Sequence, residues 1–413
     1  MARRILLPVF AALALFGAAC GNESQPREDP SAVADATVAF WQQRVANDPS
    51  DFVALGGLGA AHAARARLSG DVADYAAASK SLETAIGLGP QSAGTLVQLG
   101  FVRAALHDFE AALELADESL ELEPANPAAY ALRGDALFAL GRYDQAEAAY
   151  LEARRLAPGL ETTARLALYA AYVGDTVEAA RLWEIALGSL DAASPADAAW
   201  ALTEAARFDL AHGDADGASE RAAAAFRYVP GYVPALAAQG DLRAARGDLA
   251  AAISAYQSVV TARPTVEYLV ALGELYEAAA DPDAARRQYD VVAGIDQLYL
   301  AAGVDTDLAM ARFHARHGDP ARALELARRT YSARQTADAA DALALALQAN
   351  GRPAEALAYA LQAVTISPAN ALFHLHTAAI AAEAGDETAS AEHLARALAI
   401  NPSLEARASE LLG

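Results

Sequence analysis

Few side chains in this 413-residue chain stand at spacings that support chemistry. Eight histidines raise the question of a metal. His314 and His317 are three apart and share a helical face, whereas His374 and His376 are two apart and diverge. No third ligand converges on either pair in sequence, and no His-Glu-x-x-His helix occurs, so neither a metal nor a cofactor is expected. Gly57-x-Gly59-x-x-His62 lacks the third glycine of a dinucleotide fingerprint and follows no strand. Asp214-Ala215-Asp216-Gly217 opens like a calcium loop, but the closing bidentate acid would fall on Ala225; the expected structure there is an N-capped turn. Glu121 with Glu123, and Asp281 with Asp283, read as solvated charges at helix ends rather than an acid and base pair. No Gly-x-Ser-x-Gly elbow exists, and the single cysteine, Cys20, lies in an N-terminal leader. The chain is not expected to be an enzyme.

Composition narrows the partners. The formal charge is −22, Lys80 is the only lysine, and no basic cluster follows the N-terminus, which argues against binding a nucleic-acid backbone. About a quarter of the residues are alanine and only 7% are aromatic, a mix that favours closely packed helices over a sandwich or barrel.

The opening residues form an address. Arg3 and Arg4 precede the apolar run Ile5–Phe16, and Gly17-Ala18-Ala19 supply small residues before Cys20. This resembles the lipobox of bacterial lipoproteins, although Gly17 stands where that family prefers an aliphatic residue. The resemblance implies that residues 1–19 are removed, that Cys20 is acylated, and that the protein is held on a bilayer by its lipid. Its implied place is the extracytoplasmic side of the bacterial cell envelope, on an outer membrane facing the periplasm or at the cell surface. Gly21 stands in place of the aspartate that retains such proteins at the inner membrane. Residues 20–31 then read as the lipidated cysteine and a flexible tether. An ordinary secreted protein with an incidental cysteine is the alternative.

From Ser50 onward two markers keep one period. Prolines recur every 34 residues at Pro90, Pro124 and Pro158, at Pro230 and Pro264, and at Pro368 and Pro402. Turn residues Gly141, Gly174, Gly213, Gly247, Ala280, Gly318, Gly351 and Gly385 are separated by 33 to 39. Apolar residues at helical spacing, such as Leu96, Leu99, Val102 and Leu106, bury one face of a first helix. Alanine marks where the second helix touches the first, at Ala112, Ala146, Ala179, Ala218, Ala252, Ala285, Ala323 and Ala356. Leu99-Gly100, Leu272-Gly273, Gly134 and Gly240, with Tyr276 and the closing prolines, resemble the tetratricopeptide repeat. The resemblance covers about residues 50–404 and implies an all-α, right-handed solenoid of about ten helix-turn-helix units. The expected division is a solenoid over 32–404, with spacers near 191–198 and 296–304, and a C-terminal cap over 405–413. The insertion Arg65–Asp71 disturbs the first unit, and the Val33–Phe40 stretch with Trp41 is expected to cap the N-terminal end.

Such a solenoid implies a long concave face that takes a protein or peptide. Mapping the repeat onto the chain places Phe101, Asp135, Arg165, Tyr172, Arg207, Arg312 and Arg316 there as partner-binding candidates, alongside Asp241, Glu267, Glu274 and Asp341. Arginines would grip a carboxylate while Phe101 and Tyr172 stack on it. The competing reading pairs Glu267, Glu274 and Glu277 with Arg312 and Arg316 on the adjacent unit. The expected function is a lipid-anchored scaffold for protein or peptide binding in an envelope assembly. A recruiter of an envelope enzyme, or a small-ligand solenoid, is the alternative.

Overall fold

A computed structural model of the chain describes residues 29–412. The leader 1–19, Cys20 and most of the tether lie outside the described residues. Asp29 caps helix α1 (Pro30–Asn47) by accepting from the Ser31 N–H at 3.1 Å, so the helix begins two residues inside the expected tether. Proline at the first helical position lacks only an N–H that has no partner there anyway, which fixes that start.

Ten helix pairs follow, here called units 1 to 10. Their first helices are α2 (Phe52–Ser69), α4 (Ala93–Ala105), α6 (Pro127–Ala139), α8 (Leu160–Tyr172), α10 (Pro195–Ala211), α12 (Val233–Ala245), α14 (Val266–Ala278), α16 (Asp307–His317), α18 (Ala337–Ala349) and α20 (Ala371–Glu383). Their second helices are α3 (Val72–Leu88), α5 (Phe109–Leu122), α7 (Tyr143–Leu156), α9 (Thr176–Leu187), α11 (Ala215–Ala225), α13 (Leu249–Ala262), α15 (Pro282–Ala301), α17 (Pro320–Ala333), α19 (Pro353–Ile366) and α21 (Glu387–Ile400). Helix α22 (Glu405–Leu412) ends the stack, with Ala408 buried against Leu375 and Ala397. At the other end Val38 of α1 packs on Leu58 and Ala61, while Val33 and Phe40 stay largely in water. Among the described residues there is no strand, and the fold is an all-α solenoid.

The local rules are those of the sequence. All eight alanines that begin the second-helix contacts are buried. So are the residues seven positions on, from Ser119 through Ala363. Small side chains bring the helix pair close; a Cβ at Gly134 would overlap the Tyr150 ring, and one at Gly240 the Tyr256 ring. Where an aspartate follows the turn it caps the second helix: Asp175, Asp248, Asp281 and Asp386 accept from backbone N–H groups at 3.0–3.1 Å, whereas Arg142 and Arg352 stand there without a side-chain cap. Asp214 does the same for Gly217 at 2.9 Å, so the calcium-like tetrapeptide is a cap.

The irregular stretches are largely helical. The insertion in unit 1 lengthens α2 to 18 residues. The spacer expected near 191–198 is a 3-10 turn, Leu190–Ala192, followed by an early start of α10. Most of the spacer expected near 296–304 extends α15 to 20 residues.

The coil also returns on itself. The turn inside each of units 1 to 5 sits on the linker that follows the unit five places later. His107 Nδ1 donates to the Asp305 carbonyl at 2.7 Å, 198 residues away, and the Asp305 N–H donates to the Leu106 carbonyl at 3.2 Å. Asn401 Nδ2 donates to the Leu210 carbonyl at 3.2 Å, 191 residues away. Between these, Gly141 faces Gln335, Gly174 faces Pro368 and Gly213 faces Pro402, while Arg263 lies against Gly70. The Arg334 guanidinium stands 5.0 Å above the Phe109 ring. Val304 joins the apolar cluster of Leu99, Val102 and Leu106. A solenoid in which each unit touches only its neighbours has no such seam.

Candidate functional site

The residues expected on the first-helix face fall into four groups. In the first, Arg165 of α8 reaches back to Asp135 of α6, its Nε 3.0 Å from both carboxylate oxygens. Tyr150 donates its hydroxyl to the same carboxylate at 3.0 Å. Phe101 of α4 and Trp200 of α10 flank the guanidinium at 5.8 and 6.0 Å. Thus Phe101, Asp135 and Arg165 do converge, joined by Trp200, across four consecutive first helices. The arginine side chain keeps only 15% exposure, so its charge serves the fold.

The second group repeats part of this 106 residues later. Gly240-Asp241 stands where Gly134-Asp135 stood, and Tyr256 donates to Asp241 at 2.5 Å. Burial pushes the Asp241 carboxyl up, and the Tyr256 hydrogen bond and the Arg207 charge offset only part of that. Arg207 pairs with Glu204 on its own helix at 2.7 Å and keeps 39% exposure.

The third group spans units 8 to 10 and crosses the seam. Arg312 Nη2 lies 2.9 Å from Asp338 and 3.5 Å from Asp341, and His376 Nδ1 lies 2.7 Å from Asp341. Burial pushes the Asp341 carboxyl up, but His376 and Arg312 outweigh it and hold the group below its ordinary range. Tyr172 of unit 4 enters the same cluster. Its hydroxyl donates to Asp338 at 3.3 Å, and accepts from the Ala337 N–H at 3.1 Å and from Tyr143 at 3.2 Å. A matching trio occurs in unit 1, where Asp74 lies between His62 at 2.7 Å and Arg65 at 2.6 Å.

In the fourth group Arg316 pairs with Glu274 at 3.1 Å, and His317 Nε2 lies 3.4 Å from the same carboxylate while stacking on Tyr289 at 4.4 Å. Arg407 of the cap approaches Glu274 at 3.9 Å. The adjacent-unit pairing therefore holds for Arg316 with Glu274. Arg312 turns the other way, to Asp338 and Asp341.

His314 and His317 do not act together: His314 Nδ1 accepts from the Asp319 N–H at 3.2 Å. His374 and His376 also part, with His374 stacked on His393 at 5.1 Å. Asp338, Tyr143, Glu204, His376 and Arg407 have partner roles that pattern reading missed. The His376 to Asp341 spacing, 35 residues and so near one period, carried a signal, as did Glu204 three residues before Arg207 on one helix.

A tetratricopeptide-repeat family model matches residues 93–161, 203–267 and 342–405. No curated protein is matched. Among solved structures, the human IFIT1 dimer with m7Gppp-AAAA is 17% identical over 90% of this chain and 86% of that one, with a TM-score of 0.50. PilW, a type IV pilus biogenesis factor, is 16% identical over 49% of this chain and 92% of its own, at 0.41. A tetratricopeptide repeat protein from Parabacteroides merdae is 17% identical over 56% and 91%, at 0.42. At such identities the likeness is one of fold. Period and packing repeat along the whole solenoid, and the tetratricopeptide-repeat model matches three stretches that make up just under half of the chain.

Proposed function

We propose that the protein is a lipid-anchored scaffold of the bacterial cell envelope that gathers protein or peptide partners and performs no catalysis itself. The repeat fold is the observation that carries the first part: arrays of this kind bind proteins and are generally non-enzymatic. The anchor rests on Arg3, Arg4, the apolar run and Cys20. Ten residues separate Cys20 from Pro30, so an acylated cysteine would hold the solenoid within about 35 Å of a bilayer.

Within the candidate set the geometry ranks the anchors. Arg165 and Asp135 satisfy one another, and Tyr172 is committed to the seam, so these shape the surface around Phe101. Arg207 and Arg316, at 39% and 30% exposure, each pair with one carboxylate of this chain, Glu204 and Glu274, and keep surface with which to meet a partner's. Arg312, although 37% exposed, is held by Asp338 and by the buried Asp341, so replacing it would test folding as well as binding.

The test is crosslinking in intact cells followed by identification of what travels with the protein. A reproducible set of envelope proteins, lost from the Cys20→Ala form and weakened in Arg207→Glu/Arg316→Glu with the helical signal intact, supports the reading. Retention of the set in Cys20→Ala removes the lipid anchor from the account. No enriched protein at all overturns the scaffold and turns attention to small ligands, screened by thermal stabilisation.

A further inference from the structure

The seam uses only half of what each unit offers. Every unit has a turn between its helices and a linker after it. Units 1 to 5 have spent their turns, and units 6 to 10 have spent their linkers. The remaining turns and linkers form two edges at opposite ends of the coil. On the turn edge, a Cβ at Gly247, Gly351 or Gly385 would meet nothing within 4 Å. On the linker edge Gly159 is equally open, while in the unit 5 linker Gly231 is open but Val229 and Tyr232 are buried in a cluster that Leu68 of unit 1 joins. Leu88 and Leu122 are about half exposed. Their counterparts two residues before the seated prolines, Ile366 and Ile400, are partly covered.

The two edges repeat the glycines and prolines of the seam, while its His107 and Tyr172 have Ala280 and Ala349 as counterparts on the open turns. Where the seam sets Gly174 on Pro368 and Gly213 on Pro402, the open turns present Gly247, Gly351 and Gly385, and the open linkers present Pro90, Pro124, Pro158 and Pro230. We propose that a second copy of this chain docks head to tail, its linkers of units 1 to 5 receiving the turns of units 6 to 10 and so continuing the seam. The contact joins two different patches, so it leaves a free edge at each end and builds open chains of copies instead of a closed dimer. Some polar contacts of the seam run to backbone carbonyls, and Tyr172 meets the Asp338 carboxylate with a neutral hydroxyl; a charged contact across the coil is Arg67 with Asp197. Two bodies of charge −22 repel, so association strengthens as salt is added.

The experiment uses the full chain carrying Cys20→Ser, so that no acyl chain contributes. Sedimentation velocity over rising concentration is expected to show monomers giving way to dimers and longer species, more so at high salt. Leu88→Glu/Leu122→Glu blocks the linker edge, and Ala280→Lys/Ala384→Lys blocks the turn edge. Each variant alone remains monomeric with an unchanged melting curve, and an equal mixture forms dimers and nothing larger. A second measurement guards against misfolding. Ala125→Cys and Asp283→Cys chains are expected to form a disulfide when mixed, and neither forms one alone. A wild-type chain that stays monomeric at every concentration, or a two-fold dimer in which either cysteine variant links to itself, overturns the proposal.

Discussion

Units n and n+5 share one plan, yet their turns differ by what lies beneath them. The seated turns carry Gly70, His107, Gly141, Gly174 and Gly213; the open turns carry Gly247, Ala280, Gly318, Gly351 and Gly385. His107 and Ala280 occupy the same place in units 2 and 7, and both are left-handed, at φ 63° and 58°. His107 is tied to the Asp305 carbonyl, whereas Ala280 holds the same backbone with no such bond. Tyr172 of unit 4 corresponds to Ala349 of unit 9, and Asp209 of unit 5 to Ala381 of unit 10. At those places the seated row carries a polar side chain and the open row alanine, but just before the turn residue the relation reverses, with Leu106, Leu140 and Val173 seated and Arg246, His317 and Asn350 open. The repeat sets the turn, and its neighbour one coil away decides how the turn is furnished.

The sharpest way to break this comparison is one substitution made in both rows. Gly174→Ala places a Cβ 2.5 Å from Pro368 at φ 92°, and is expected to cost about 3 kcal/mol from strain and overpacking together. Gly351→Ala, at φ 69° over open space, is expected to cost about 1 kcal/mol. Denaturant midpoints of the two variants measure the difference, and equal losses would dissolve the seam.

Tyr172→Phe removes the acceptor of the Ala337 N–H and the link to Asp338, for an expected loss of about 2 kcal/mol. Ala349→Ser, at the matching place in the open row, is expected to leave the midpoint nearly unchanged.

Asp209 sharpens the contrast through pH. Burial pushes its carboxyl up to about 6, with Arg221 only partly opposing. Its Oδ2 lies 3.2 Å from the Arg221 Nε. The folded chain holds that proton more tightly than the unfolded chain does. Stability from this group is therefore present in acid and is lost as pH rises from about 4 through about 6. Asp209→Asn is expected to raise stability at pH 7 by about 1–2 kcal/mol and to leave it unchanged at pH 4, read from melts at both values.

The smallest effect belongs to the left-handed turns. Ala280→Gly relieves the strained φ and is expected to gain about 0.5–1 kcal/mol, whereas His107→Gly forfeits the bond to Asp305 and gains nothing.

The ten units were legible because each obeys a rule shorter than 40 residues. The prolines, the Asp caps and the alanine pairs each act within one unit or between neighbours. His107 was missed as a turn because glycine was the marker, although it stands 34 residues before Gly141. The candidates do lie on first helices, but the pairing of their charges was only partly foreseen. Whether Arg312 meets Glu267 or Asp341 depends on side-chain reach across units, which periodicity does not encode. The seam left a mark only in single side chains at the turns, such as His107 and Tyr172 where the open row has Ala280 and Ala349. Its partners lie about 190 residues apart, beyond the reach of the repeat's own period.

The same separation sets a clock on biogenesis. A ribosome adds about 5–20 residues per second, so roughly 10–40 s pass between the appearance of a turn in units 1 to 5 and that of its seat. Throughout that interval the nascent chain is half a coil whose Leu106 and Val102 lack the Val304 that covers them in the finished protein. A chain halted near its midpoint would present five unmet turns at once, which makes the order of synthesis, as much as the sequence itself, part of how this solenoid reaches its closed form.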